Sequence, residues 1–173
     1  MQNLAVATVR PSWQCMREPQ ILILDDSDFD RKRLRRSFAN YPNAINIKEA
    51  SDLYAFRQLV QSNNFDLILI DYALADGDGI QALRSCKDWN NNKGAYYVMV
   101  TGNDCSNLAV TALKSGFDDY VTKNEFDRDI LSGILTRAVQ ENVLEKDQRM
   151  SIFSRFKTER ANAAPRIVPR RVN

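Results

Sequence analysis

Residues 67–80 read LILIDYALADGDGI, and the fold turns on how the first five are taken. Leu67 to Ile70 are uninterrupted aliphatics that run straight into Asp71. Four residues are too few for a helix, and the run lacks the alternation of a strand with one wet face. It reads as a strand buried on both faces, as in a parallel sheet covered by helices on both sides. The same design recurs along the chain. Ile21-Leu22-Ile23-Leu24 leads into Asp25 and Asp26, Val98-Met99-Val100 into Thr101, and Tyr120-Val121-Thr122 into Lys123.

Outward from these runs, apolar segments alternate with windows of helical period. The strands are expected at Gln20–Leu24, Ile45–Glu49, Phe65–Ile70, Ala95–Val100 and Asp118–Val121. The helices are expected at Asp28–Ala39, Asp52–Gln61, Gly79–Asp88, Asn107–Lys114 and from Arg128 to about Glu145. Ser51 is placed to cap the second helix and Gly116 to end the fourth. Strand–helix alternation of this kind predicts an α/β fold, a doubly wound five-stranded parallel sheet built from right-handed crossovers. The expected organisation is a flexible arm over 1–19, one domain over 20–140, and a helix extension with a basic, disordered tail over 141–173.

Composition narrows the function classes. The 173 residues carry a net charge of +2, but Arg149–Asn173 holds +6 of it, leaving −4 for the rest. At +2 the whole chain does not read as a polyanion binder by composition. Cys15, Cys86 and Cys105 are odd in number and scattered, which fits neither a disulfide framework nor a thiolate metal site. A reducing cytoplasm is the simplest reading of such cysteines, and no apolar run approaches the length of a membrane span. There is no histidine, which removes imidazole acid–base chemistry, imidazole ligands and phosphohistidine from this sequence.

In an open parallel sheet the strand ends on one edge converge, and ligands bind there. Asp25, Asp26, Asp71, Thr101 and Lys123 all lie at such ends. Singly, an aspartate after a strand is an ordinary loop start and a lysine an ordinary solvated charge. Together they assemble three carboxylates, a hydroxyl and an ammonium. Carboxylates ~4 Å apart repel by about 4 kcal/mol per pair at an effective dielectric of ~20, so the trio calls for a cation. Mg²⁺ suits it, since that ion takes one or two carboxylates and leaves positions open for phosphate oxygens. Asp71 can then serve as a nucleophile on phosphorus, with Lys123 and Thr101 receiving the phosphoryl oxygens.

The segments ILILDDSDFD (21–30), LILIDYALADGDGI (67–80) and VMVTGNDCSNLAVTALKSGFDDYVTKN (98–124) resemble the receiver domain of two-component response regulators. The resemblance spans roughly 20–140, with Asp26, Asp71, Thr101 and Lys123 spaced by 45, 30 and 22 residues. It implies a flavodoxin-like sheet of order 2-1-3-4-5. It implies Asp71 as phosphoacceptor; Asp25, Asp26, Asp71 and the Ala73 backbone carbonyl as the Mg²⁺ site; Thr101 and Lys123 as phosphoryl contacts; and Thr101 with Tyr120 as the switch. It implies a stand-alone phosphorylation-switched signalling protein, not an enzyme, that takes its phosphoryl group from a histidine kinase or histidine phosphotransfer protein. Such a protein regulates a downstream protein through the face formed by helix four, strand five and helix five.

Some positions depart from the family. Lysine is ordinarily followed by a cis proline, and here by Asn124, where a cis bond would cost ~3–4 kcal/mol, leaving the bond either trans or strained. Ala75 stands where proline is usual, and Ala73 and Asn103 occupy positions that govern access of water to the phosphoryl group. The alternative reading is a phosphorylation-independent interaction module that works by homodimerising. A phosphatase with an aspartate nucleophile is disfavoured, since its Asp-x-Asp pair follows the first strand whereas the candidate nucleophile here follows the third. Arg31, Lys32, Arg33, Arg35 and Arg36 read first as a solvated helix face and second as a docking surface for the phosphodonor. Ile152–Arg160 reads as a frayed helix end, ahead of partner or membrane contact and, last, nucleic-acid binding, and no DNA-binding output domain is expected.

Overall fold

Strand β1 (Gln20–Leu24) is flanked in parallel by β2 (Asn46–Ala50) on one side and β3 (Leu67–Asp71) on the other. The structure is a computed structural model that describes residues 17–39, 41–87, 92–102, 106–125 and 128–140. After β3 come a two-residue antiparallel pair, β4 (Ala73–Leu74) and β5 (Gly77–Asp78), then β6 (Tyr96–Thr101) and β7 (Asp119–Thr122). The main sheet is all parallel in the order β2-β1-β3-β6-β7. With the small β4–β5 pair set aside, this is the expected 2-1-3-4-5 order. Helices α1 (Asp28–Ser37), α2 (Leu53–Ser62), α3 (Gly79–Lys87) and α4 (Ser106–Ser115) form the crossovers, and α5 (128–140) follows β7.

The central strands are buried on both faces, and alternation divides their side chains between two cores. Leu22, Leu24, Ile68, Ile70 and Met99 meet Phe56 and Val60 of α2, Leu83 of α3 and Ala112 of α4. Ile21, Ile23, Leu67, Leu69, Val98 and Val100 meet Leu34 of α1 and Leu131, Ile134 and Leu135 of α5. Each large aliphatic so enclosed contributes about 1.5–3 kcal/mol of burial free energy. These two layers hold the strand ends in place.

Three of the strands, β2, β6 and β7, end one residue later than the apolar runs suggest, and β3 ends on Asp71 itself. Leu24 pairs with Ala50, Asp71 with Val100, and Thr101 with Thr122. A polar side chain does not stop a backbone ladder, so the reactive residues sit on the sheet's last rung. Ser51 is not the cap of α2. Asp52 is, with Oδ1 accepting from Ala55 N at 2.7 Å, while the Ser51 hydroxyl donates to Asp52 Oδ2 at 2.9 Å. A carboxylate is the stronger acceptor at the positive end of a helix. Gly116 does end α4, with φ 98°. Its N–H donates to Leu113 O and that of Phe117 to Ala112 O, a Schellman closure that needs the left-handed conformation.

The edge of the sheet away from the strand ends is fastened by side chains. Asp66 Oδ2 accepts from Gln20 N (2.8 Å), Asn92 Oδ1 from Phe65 N (2.8 Å) and Asp118 Oδ2 from Tyr97 N (2.7 Å). Asn92 also donates to Val60 O at 2.9 Å, and its carbonyl accepts from Tyr97 OH at 2.8 Å. Of the stretch read as an arm, residues 17–19 are tied to this edge. Arg17 pairs with Asp66 at 2.7 Å, and Pro19 O accepts from Asn46 N at 2.9 Å. The remainder of that arm, the basic tail, any continuation of α5 past 140, Cys15, Asn103 and Cys105 lie outside the described residues.

Gly79, at the start of α3, donates to Tyr72 O at 2.9 Å and closes the loop after Asp71. A Cβ there would lie 2.7 Å from the Asp71 carbonyl oxygen and 3.2 Å from Tyr72 Cα. Both are backbone atoms that cannot swing aside. Gly79→Ala is therefore expected to destabilise the fold by about 1–3 kcal/mol, read as a lowered urea midpoint at unchanged slope.

Candidate functional site

The turn after β1 is built by its own polar residues. Asp25 Oδ1 accepts from Ser27 N at 2.8 Å, and Ser27 Oγ accepts from Asp30 N at 3.3 Å, making Ser27 the N-cap of α1. Arg31 Nη1 donates to Asp25 O at 2.8 Å, and its Nε reaches Glu49 at 3.3 Å. Arg35 also binds Glu49, and Lys32 binds Asp28. Three of the basic residues of α1 are thus engaged within the domain, which favours a structural role over a docking one for them.

Register brings the other strand ends alongside. Asp71 pairs with Val100, the residue before Thr101, and Thr101 pairs with Thr122, the residue before Lys123. Lys123 reaches back across the sheet. Its ammonium lies 2.8 Å from Asp25 Oδ2, 2.9 Å from Asp30 Oδ2 and 3.0 Å from Asp71 Oδ2. The Lys123–Asn124 bond is trans, as no cis peptide occurs among the described residues. Thr101 is buried at the same edge, and Tyr120 is half-buried against the core beneath α4.

One oxygen from each of Asp25, Asp26 and Asp71 falls within 4.8 Å of the others. Asp25 is fully buried, and its Oδ2 meets the Lys123 ammonium at 2.8 Å without the alignment of a hydrogen bond. A buried carboxylate oxygen lacking a directed donor, facing two further carboxylates, is what a hard divalent cation would satisfy, so the residues fit Mg²⁺. Asp26 is exposed and accepts from Ala75 N at 3.0 Å, which ties the loop after Asp71 to the carboxylate pair. Asp76, further along that loop, accepts from Leu53 N at 2.8 Å and adds a second cap to α2.

Electrostatics set these groups apart from surface carboxylates. Burial pushes the Asp71 carboxyl up to about 6, with Asp25 adding to the rise while Lys123 and the Ala73 N–H oppose it. Burial likewise raises Asp25 against the pull of Lys123 and Ser27 N. Burial pulls the Lys123 ammonium down, but the close Asp25, Asp30 and Asp71 carboxylates outweigh it and hold the group above the ordinary lysine value.

The structure thus brings all five strand-end residues to one edge and adds Asp30, which the sequence reading passed over. A signal for it was present. Ser27-x-x-Asp30 is a capping-box spacing, and a third-position side chain points back over the helix N-terminus. The reciprocal half of that box is not made, because Ser27 N donates to Asp25 instead. The Asp30 carboxylate is left to bind Lys123.

Comparison with known proteins agrees with this geometry. The sequence profile of the response regulator receiver domain matches residues 21–135. The transcriptional regulatory protein SrrA of Staphylococcus aureus is 30% identical over 133 residues, covering 75% of this chain and 52% of that protein. The chain thus spans about half the length of the curated relatives it matches. The Francisella response regulator 1452 receiver domain superposes with a TM-score of 0.60 at 28% identity, covering 71% of this chain and 98% of that one. A CheY-like receiver from Methanospirillum hungatei JF-1 gives 0.64 at 24%, covering 75% and 99%. The receiver domain of a sensor histidine kinase from Pseudomonas aeruginosa PAO1, which has a magnesium ion coordinated in its active-site cleft, gives 0.63 at 22%, covering 72% and 99%. With buried Asp25 and exposed Asp26 after β1, Asp71 on the last rung of β3, Lys123 reaching back to Asp25 and Asp71 on a 2-1-3-4-5 sheet, and the profile match over 21–135, this chain belongs to the response regulator receiver domain family.

Proposed function

We propose that Asp71 accepts a phosphoryl group and that its occupancy regulates a partner protein. The observation that carries this is the Lys123 ammonium held 3.0 Å from Asp71 and 2.8 Å from Asp25 at the sheet edge. Asp71 is buried, and its Oδ2 is held 3.0 Å from the Lys123 ammonium. An Asp71 oxygen forms the bond to phosphorus as the donor's bond to phosphorus breaks, and Lys123 and Thr101 receive the phosphoryl oxygens. Mg²⁺, held by Asp25, Asp26, Asp71 and the Ala73 carbonyl, would neutralise charge on the phosphoryl oxygens. This sequence contains no histidine, so a phosphohistidine donor belongs to a separate kinase or phosphotransfer segment.

Readout falls to the α4–β7–α5 face. Val110 and Leu113 of α4 and Ile130 of α5 are exposed there, at 51%, 55% and 42%. Tyr120, on β7 between those helices, is the residue placed to change rotamer with Thr101. We read the domain as spanning 20–140 and its setting as cytoplasmic. No helix among the described residues is long and apolar enough to cross a membrane.

The test is to treat the protein with acetyl phosphate and Mg²⁺ and then reduce it with borohydride, which converts an aspartyl phosphate to homoserine. Peptide mass spectrometry should find homoserine at position 71. Homoserine at 25, 26 or 30 instead, or at none of them, would overturn the assignment.

A further inference from the structure

The Lys123 ammonium hydrogen-bonds Asp30 and Asp71 and lies 2.8 Å from Asp25 Oδ2, so three carboxylates surround it. An arriving phosphoryl oxygen has to compete with these three carboxylates for the ammonium, and one of them has to give way. Asp25 is fully buried and the Asp71 side chain is 5% exposed, whereas that of Asp30 is 19% exposed. Giving up an ammonium partner is costly for a carboxylate cut off from water and cheap for one that water can resolvate. Asp30 is also the residue whose backbone, not its carboxylate, does the capping. Its N–H donates to Ser27 Oγ while its carboxylate serves no bond of the turn that the cap requires.

We propose that Asp30 is a positioning residue that holds Lys123 before phosphorylation and yields it to the phosphoryl group. The inference rests on Asp71 being the acceptor. Asp30 then acts on the two ligands with opposite sign. Asp30 Oδ2 and Asp71 Oδ2 each lie about 3 Å from one nitrogen, so they are within about 6 Å of each other. A negative charge at that range draws a divalent cation into the site and repels an incoming phosphate dianion. It also competes with that dianion for Lys123. In the reaction with acetyl phosphate, an Asp71 oxygen bonds to phosphorus, the bond between phosphorus and the acetate oxygen breaks, and acetate leaves with the electron pair. No proton moves, so Asp30 enters only through charge and its hold on Lys123.

The experiment uses the full chain as wild type, Asp30→Asn, Asp30→Glu, Asp28→Asn and Asp71→Asn. Mg²⁺ affinity is read from an amide NMR titration, and the rate of labelling by acetyl phosphate is read at saturating Mg²⁺ for each protein. Asp30→Asn should bind Mg²⁺ about five-fold more weakly and label about five-fold faster, the size expected of one partly screened charge at this distance. Asp30→Glu, which keeps the charge and can still reach Lys123, should return both values toward wild type. Asp28 lies on the same turn but binds Lys32, so Asp28→Asn should change both by less than about two-fold. A loosened site would weaken both properties together. Movement of both in the same direction, or no change in either, overturns the assignment. Failure of wild type to label above Asp71→Asn would instead remove the functional reading on which it rests.

Discussion

Asp71→Asn is expected to abolish acyl phosphate formation and, in EDTA, to leave a protein more stable than wild type by about 1–2 kcal/mol near neutral pH. The loss follows from chemistry, since an amide oxygen is not a competent nucleophile toward phosphorus. The gain follows from burial. Desolvation pushes the Asp71 carboxyl up to about 6 from its ordinary 3.8, and the neighbouring Asp25 adds to that rise. The folded state therefore binds the proton more tightly than the unfolded chain, and the penalty for keeping Asp71 ionised is complete above about 6. Asparagine keeps the shape and removes the charge, while Lys123 retains Asp25 and Asp30. Urea denaturation of both proteins, with and without Mg²⁺, measures the effect. Mg²⁺ should stabilise the wild type more than the variant, which has one fewer carboxylate for the ion. Equal labelling of the two proteins, or a less stable variant in EDTA, contradicts the site as described.

Lys123→Met is expected to have the opposite effect on the fold. The substitution retains much of the aliphatic stem and removes the one cation that Asp25, Asp30 and Asp71 share. Removing one partner from a buried ionic cluster strands the others, at about 3–5 kcal/mol. Partial exposure of Asp30 puts the expected loss near the lower figure. A divalent cation can replace the missing charge, so Mg²⁺ should recover more than half of the lost stability and shift the melting temperature further than in wild type. Labelling by acetyl phosphate should fall by about 10²-fold or more, as for loss of one preorganised electrostatic donor. A Lys123→Met protein as stable as wild type without Mg²⁺ would show that the ammonium does not neutralise the cluster.

Most of this site was legible before any coordinates because its parts are punctuated by the strands themselves. An aliphatic run can be only so long, and the residue that ends it stands at the edge of the sheet. That logic located Asp25, Asp26, Asp71, Thr101 and Lys123 together. Asp30 escaped it because it lies inside α1, where an acidic residue in the first turn is explained by the helix dipole alone. The β4–β5 pair escaped because two residues are too few to show alternation. Asn92 was illegible for a third reason. A loop asparagine looks like a turn residue, and only the fold reveals that it is 1% exposed and accepts from Phe65 N. The cap of α2 was misplaced between adjacent candidates, Ser51 and Asp52, which hydrogen-bond each other.

The fastening of the far edge by Asp66, Asn92 and Asp118 divides the domain mechanically. Strands anchored at their starts and charged at their ends resemble prongs set in a base, where a disturbance at the tips moves the tips and leaves the base still. The chain enters the base at Arg17, clamped to Asp66, and α5 runs back toward it, its 13 residues rising about 20 Å beside strands of nearly that length. Whatever is joined covalently to either end of this domain is therefore mounted at its fastened edge, opposite Asp71 and Lys123.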